Sequence, residues 1–276
     1  MSKDIDRPIT NHPVHNGPAV GIELEFEEAG PGVFDDSLRD WNIVIDHSLR
    51  NGVEYVSNIL EPKQVPDALR LAYERFTKYK LRASARCGVH VHMNISDMTY
   101  SEIMRFMMLY CILEPCIFER FARERVTNHF CVPLFANTDM IPTVQKLSSR
   151  MRQGDDIRPI VYHCSKYSAV NLKAIYTHLT IEFRHLEAKQ NPVEIQRWIT
   201  FLLSLRARAR LYSTPEKIIE MYEEHGIERL KWGLSDPLNY VPDQDYQEAA
   251  VDLAYLLCGE EPKDWKELDW DLEEAM

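Results

Sequence analysis

Glu23-Leu24-Glu25-Phe26-Glu27 alternates carboxylates with apolar side chains. A strand sends successive side chains to opposite faces, so Leu24 and Phe26 would enter a core while the three acids share the other face. Two further stretches repeat the alternation with different chemistry. In Val89-His90-Val91-His92-Met93 two imidazoles oppose apolar residues, and in Thr180-Ile181-Glu182-Phe183-Arg184 an acid and an arginine oppose Ile181 and Phe183. Each stretch alone has an ordinary explanation. Alternating charge discourages pairing at a sheet edge, a His-x-His pair occurs in structural strands, and Glu-x-Arg makes a cross-strand ion pair. Brought into one sheet, they predict one apolar face under helices and one face carrying Glu23, Glu25, Glu27, His90, His92, Glu182 and Arg184. A structural sheet has no use for so many ionisable groups together, because like charges on one face repel unless cations neutralise them.

The totals are consistent with a soluble globular chain. At 276 residues there is room for one large domain or two small ones. A formal net charge of −11 argues against generic nucleic-acid binding or membrane-surface binding, both of which draw on a basic face. No apolar run approaches the roughly 20 residues needed to span a bilayer. The opening MSKDIDRPITNHPVHNGP lacks the apolar segment of a secretion signal and reads as a flexible arm. Cys87, Cys111, Cys116, Cys131, Cys164 and Cys258 contain no Cys-x-x-Cys pair, which predicts reduced, buried thiols and a cytoplasmic protein. Cys87, beside the histidine strand, is the one candidate nucleophile.

Working outward from the three strands, Gly30-Pro31-Gly32 predicts a turn. Residues 41–46 and 53–57 predict a hairpin across Asn51-Gly52. Pro66-Asp67 opens an amphipathic helix with Leu69, Tyr73 and Phe76 on one side. Thr99 and Glu102 form a capping box ahead of a long apolar helix, which Pro115 should kink or interrupt. The polar, arginine-containing stretch 145–160 reads as a mobile loop, and 166–172 and 178–185 as strands. Asn191-Pro192-x-Glu194 and Thr214-Pro215-Glu216 are helix starts. A last helix from about 243 leads into a tail containing Trp265 and Trp270.

The ligand types limit the chemistry. Carboxylates dominate and no cysteine is apposed, which favours Mg²⁺ or Mn²⁺, and a histidine favours tolerance of Mn²⁺. More than three acids suggests more than one ion. Several divalent ions together with arginines suit a nucleoside triphosphate. The sequence has no Gly-x-x-x-x-Gly-Lys-Ser/Thr loop and no Gly-x-Gly-x-x-Gly. ATP would therefore bind through metals on a sheet face rather than at a glycine-rich helix start. Arg150, Arg152 and Arg158 are candidates to close over phosphate from the polar stretch.

Five segments in order carry a resemblance. They are Gly21 to Glu27, Asp46-His-Ser-Leu49 with Gly52-Val-Glu54-Tyr-Val-Ser57, Gly88 to Asn94, Lys166-Tyr-Ser-Ala-Val-Asn171-Leu172, and Thr180 to Arg184. Over about 20–205 the chain resembles the putative amidoligase branch of the carboxylate–amine ligase superfamily, which includes glutamine synthetase and glutamate–cysteine ligase. The resemblance implies an α+β fold, with a curved antiparallel sheet and helices on its convex face. It implies a catalytic domain over 19–212, preceded by a flexible arm (1–18) and followed by a helical extension (213–276) packed on the same domain. The implied activity joins a small-molecule or peptide carboxylate to an amine, with ATP and two or three Mg²⁺ or Mn²⁺ ions, through an acyl phosphate. By motif position Glu23, Glu25, His90 and Glu182 would hold metal, and Arg184 would clamp the transferred phosphoryl group. Glu54 would lie near metal or amine, and His92 would bind substrate or orient Glu54. Lys166 and Asn171 would contact nucleotide, with Arg152 and Arg158 as further phosphate contacts. Glu27 is open between ligand and support. A metal-dependent hydrolase using His90 and His92, a phosphotransferase on the same fold, and an inactive binding protein are the alternatives. The acid, the amine and the oligomeric state stay open.

Overall fold

The structure, a computed structural model, describes residues 5–27, 33, 37–137, 140–188 and 191–260. The turn expected at Gly30-Pro31-Gly32 and the tail with Trp265 and Trp270 lie outside these residues. Six strands form one sheet: β1 (Val20–Phe26), β2 (Trp41–Asp46), β3 (Gly52–Ser57), β4 (Gly88–Asn94), β5 (Val170–Asn171) and β6 (Thr180–Glu187). Their order is β2-β3-β1-β4-β6-β5, and every neighbouring pair is antiparallel. The acidic strand and the histidine strand are therefore the central pair, with the Glu-x-Arg strand on the outer side of the latter. Eight helices complete the described residues: α1 (Val65–Tyr79), α2 (Tyr100–Phe121), α3 (Met140–Gln153), α4 (Arg158–Val161), α5 (Ala174–His178), α6 (Pro192–Ala209), α7 (Glu216–Lys231) and α8 (Gln244–Cys258). None is long and apolar enough to cross a membrane.

The alternation behaves as expected. Leu24, Val89, Val91, Met93, Ile181 and Phe183 are fully buried on one face. There Phe183 meets Phe106 and Tyr110 of α2 and Trp198 of α6. Of the 22 residues of α2, 19 are buried, so this helix is enclosed on all sides, with α6, α7, α8 and α3 packed around it. Thr99 and Glu102 make the capping box, at 3.2 and 2.9 Å. The helix continues through Pro115. The hydrogen bond that proline removes is offset by burial of nearly the whole helix.

The stretch 145–160 is not a loop. It is the end of α3, a turn, and α4. Met140, Val144, Leu147 and Met151 recur at helical spacing and are buried, while Ser149 and Arg150 face out. The strand expected at 166–172 is reduced to Val170–Asn171, and α5 separates it from β6. The described part of the N-terminal stretch lies against the domain. Ile5 is buried, the Arg7 and Ile5 carbonyls accept from Tyr100 and Ser101 N–H, and Arg7 Nη1 donates to the Gly154 carbonyl at 3.1 Å.

A buried polar cluster joins α2 to the sheet. Tyr110 Oη donates to Glu114 Oε1 at 2.8 Å and lies 2.7 Å from His185 Nε2. The same carboxyl accepts the backbone N–H groups of Leu134 and Phe135, at 3.0 and 3.2 Å. Burial raises Glu114 to about 7, against the lowering by these hydrogen bonds. Burial and the charge of Arg125 lower His185 to about 3, so it is neutral. Glu114→Ala should strand three donors in a dry interior and cost about 3 kcal/mol. The urea midpoint should fall accordingly, and an unchanged midpoint would refute the assignment.

Candidate functional site

Register builds the polar face. Glu23 pairs with His90 across β1 and β4, and Glu25 with Glu54 across β1 and β3. His92 pairs with Glu182 across β4 and β6, and Asn171 with Glu182 across β5 and β6. Between β4 and β6 the register shifts: His90 alone stands between Val89 and Val91, while Arg184 and His185 stand between their partners Leu186 and Phe183. Alternation carries Arg184 to the polar face and His185 to Tyr110 in the core, and the bulge returns Leu186 to the core side as well.

Glu23 is the hub. Its Oε2 is 3.0 Å from His90 Nδ1 and its Oε1 is 3.2 Å from His92 Nε2. Burial works to raise its pKa, but the hydrogen bonds and charges of His90 and His92 outweigh this and hold it well below the usual range. Glu54 goes the other way. Burial, then the charges of Glu23, Glu25 and Asp46, push it up to about 9. A proton on Glu54, hydrogen-bonded to Glu23, relieves part of the crowding. For His92, the lowering by burial is outweighed by contact with Glu23 and by the charges of Glu23 and Glu182, so its pKa is raised.

The expected residues do not all meet. Glu25 turns one oxygen to the Gly88 N–H at 2.7 Å, and its other oxygen is 3.7 Å from His90 Nε2. Glycine at 88 is required by close approach, since a Cβ there would lie 2.9 Å from that ring nitrogen. Glu27 is buried and accepts the Arg50 N–H at 3.2 Å, a structural contact in the β2–β3 connection. Arg184 Nη1 donates to Glu182 Oε1 at 2.6 Å, and Nε donates to the Phe130 carbonyl at 3.3 Å. Asn171 Nδ2 donates to Glu182 Oε2 at 2.6 Å.

A cavity of about 510 Å³ opens over this face, lined by acids Glu23, Glu25, Asp46, Glu54 and Glu182 and by the cations Arg86, Lys166 and Arg184. Asn171 and His90 line it too. The sequence reading missed Arg86, whose Nη2 donates to the Ser48 carbonyl at 2.5 Å, and Phe130. Both sit in connections where no alternation marks them. Arg150, Arg152 and Arg158, expected to close over phosphate, do not line this cavity. Arg150 pairs with Asp155, Arg158 with Asp156, and Arg152 with Glu216 and the Cys258 carbonyl. They lie on helices or beside them and carry their own counterions. Cys87 is fully buried, and burial raises its thiol, so it is no nucleophile.

The donor set fits divalent cations. One ligand atom each from Glu23, His92 and Glu182 lie within 4.8 Å of one another, and so do those from Glu23, Glu54 and His90. The Nε2 atom of His90 is buried without a hydrogen bond, its nearest carboxylate oxygen being that of Glu25 at 3.7 Å. Buried polar atoms without partners are rare, and a ligand set is one of the few reasons for them. Glu54, expected near metal or amine, and His92, expected to bind substrate or orient Glu54, thus fall within the two triads, and Glu25, expected to hold metal, outside both.

A family model described as "Putative amidoligase enzyme" matches residues 20–206. No curated protein matches the chain.

Glu54 carries a signed pH dependence. An acid whose pKa is raised on folding contributes stability that is present below its unfolded value, near 4.5, and lost as pH rises towards about 9. In chelator-treated protein, Glu54→Gln should raise the urea midpoint at pH 8, by on the order of 2 kcal/mol, with no gain at pH 4. Equal effects at both pH values would overturn the assignment. Mn²⁺ at 100 times its Kd should stabilise the wild type by about 2.7 kcal/mol. Glu23→Gln, which enters both triads, should abolish that thermal shift, and a retained shift would count against the triads.

Proposed function

The chain belongs to the putative amidoligase family, a ligase-type enzyme family, and from that premise we propose an ATP-dependent carboxylate–amine ligase that forms an amide through an acyl phosphate. One observation carries the reading: two acid–histidine triads share Glu23 beside a cavity lined by Arg86, Lys166 and Arg184. A carboxylate resists attack by an amine at neutral pH for want of a leaving group. ATP with Mg²⁺ or Mn²⁺ would supply the phosphoryl group that provides one, with the phosphate charge neutralised.

The chain's own residues have defined tasks in this scheme. Glu23, Glu54, Glu182, His90 and His92 would hold the ions, an oxygen-rich set with imidazoles that suits Mg²⁺ and Mn²⁺. Arg184 would clamp the transferred group with a planar fork that stays charged. Glu182 and the Phe130 carbonyl fix it from two sides. Asn171 holds the second oxygen of Glu182. Lys166 and Arg86 would bear on the phosphates. Glu54, which holds a proton more readily than an ordinary carboxyl, would give that proton up on joining the ion ligands. Most of the work is alignment and charge complementarity in a shielded site.

The six-stranded antiparallel sheet with its acidic open face is consistent with the glutamine synthetase and glutamate–cysteine ligase fold, to which we assign it. The six cysteines are all buried and unpaired, which suits a cytosolic setting. A metal-dependent hydrolase would employ the triads but leave Arg184, Lys166 and Arg86 without a task.

ADP and phosphate release should therefore depend on Mg²⁺ or Mn²⁺ and on a pool of acids and amines. Arg184→Ala should lower the rate by about 10²–10³-fold, the cost of losing one charge-stabilising donor. Arg184→Lys should recover little of it, because the fork is lost. Hydrolysis of a pool member without ATP would sink the ligase reading.

A further inference from the structure

A second pocket of about 360 Å³ opens on the other side of Glu23. It is at the small end of ligand pockets. Its walls are aliphatic, with Val14, Ile22, Val56, Ile59 and Leu179, and its polar end is Glu23 with His92. Glu23 thus lines both this pocket and the larger, charged cavity. His92 is fixed across the boundary, with Nδ1 3.0 Å from Thr180 Oγ1 and its ring edge-on to His178.

The wall is built rather than incidental. Ser96 Oγ accepts the N–H groups of Val14 and His15, at 3.0 and 3.3 Å. Asn94 Nδ2 donates to the carbonyls of His15 and Gly17, both at 3.0 Å. Ser96 and Asn94 are themselves buried. The turn after β4 therefore pins residues 14–17 at the pocket, and Val14 precedes the segment matched by the family model, 20–206.

The lining contains Glu23 as its one carboxylate and no Lys or Arg. A carboxylate bound here would face Glu23 with no Lys or Arg in the lining to offset it. The α-carboxylate of a free amino acid would find no Lys or Arg in the lining, and the far ammonium of a diamine no second acid; either would lie against the aliphatic wall with Ser57, Thr177, His178 and Thr180 as its other polar neighbours.

We propose that this pocket takes the amine substrate, and that the amine is a primary amine carrying an uncharged apolar group. The head would lie at Glu23 and His92 and the tail among Val14, Ile59 and their neighbours, with Val14 and Ile59 setting specificity. This rests on the ligase reading for the word substrate, while the binding preference itself does not.

The test is calorimetric titration of the full-length protein with n-propylamine through n-hexylamine, and with 1,6-diaminohexane. Affinity should rise roughly fourfold per methylene, equivalent to about 0.8 kcal/mol. The diamine should bind more weakly than hexylamine by roughly tenfold or more. Val14 and Ile59 are 59% and 55% exposed, so Val14→Asp and Ile59→Asp should fold normally. Each should weaken hexylamine and improve the diamine. No chain-length dependence, a diamine as tight as hexylamine, or variants without effect would overturn the proposal. ADP release is followed on the same samples. The expected binding pattern without ADP release from any acid would remove the ligase reading and leave the pocket assignment standing. Amine-dependent ADP release without the apolar preference would do the reverse.

Discussion

Glu23 is a half-buried carboxylate kept charged by two imidazoles, and the polar face is organised around that balance. Burial alone would drive it to take a proton. His90 and His92 prevent this, one from each end of the carboxylate, because β4 pairs with β1 in a register that puts His90 directly opposite. A slip of one residue would turn both histidines into the core and bring Val89 and Val91 to the acids. That register is held from the far side of the sheet, where Leu24, Val89, Val91 and Phe183 pack beneath α2 and α6. The apolar face therefore does more than stabilise the fold. It sets which charges meet.

The repulsion that remains is distributed rather than removed. Glu23 stays ionised and Glu54 retains the proton. Glu182 gives one oxygen to Arg184 and the other to Asn171. Glu25 leans on the Gly88 N–H. A site arranged in this way would exchange a proton for a cation, as proposed, with little motion, since the oxygens are already converged. A buried group left without a hydrogen bond, such as the Nε2 atom of His90, would be a plain loss in a site with no further ligand.

The pattern of this face was legible in sequence because a strand repeats every two residues, so Glu23, His90, His92, Glu182 and Arg184 could be assigned to one side without knowing the sheet. What the period could not show was the bulge opposite His90. Strict alternation puts Arg184 on the polar face and His185 in the core, but it would send Leu186 to the polar face, whereas the bulge keeps it on the core side with His185. The arginines at 150, 152 and 158 misled for a related reason. Their polarity hid the apolar stripe of Met140, Val144, Leu147 and Met151, which makes α3 a packed helix and ties its arginines to Asp155 and Glu216. Arg86 and Phe130 lie in connections, where position follows from tertiary packing and carries no local signature.

The cluster under the sheet bears on the face above it. Glu114 accepts the N–H groups of Leu134 and Phe135, in the same connection whose Phe130 carbonyl receives Arg184 Nε. His185, next to Arg184 in sequence, is tied to Tyr110, which donates to that same Glu114. The arginine is thus held through its neighbour from below and through Phe130 from the side, and both supports converge on one buried carboxyl. A flexible arginine would spend its charge on whichever of Glu23, Glu54 or Glu182 came nearest. One fixed to Glu182 and the Phe130 carbonyl leaves Glu23 to the histidines. The division of the face into a cationic side and an acid–imidazole side is therefore decided partly in the core, by groups that no ligand touches.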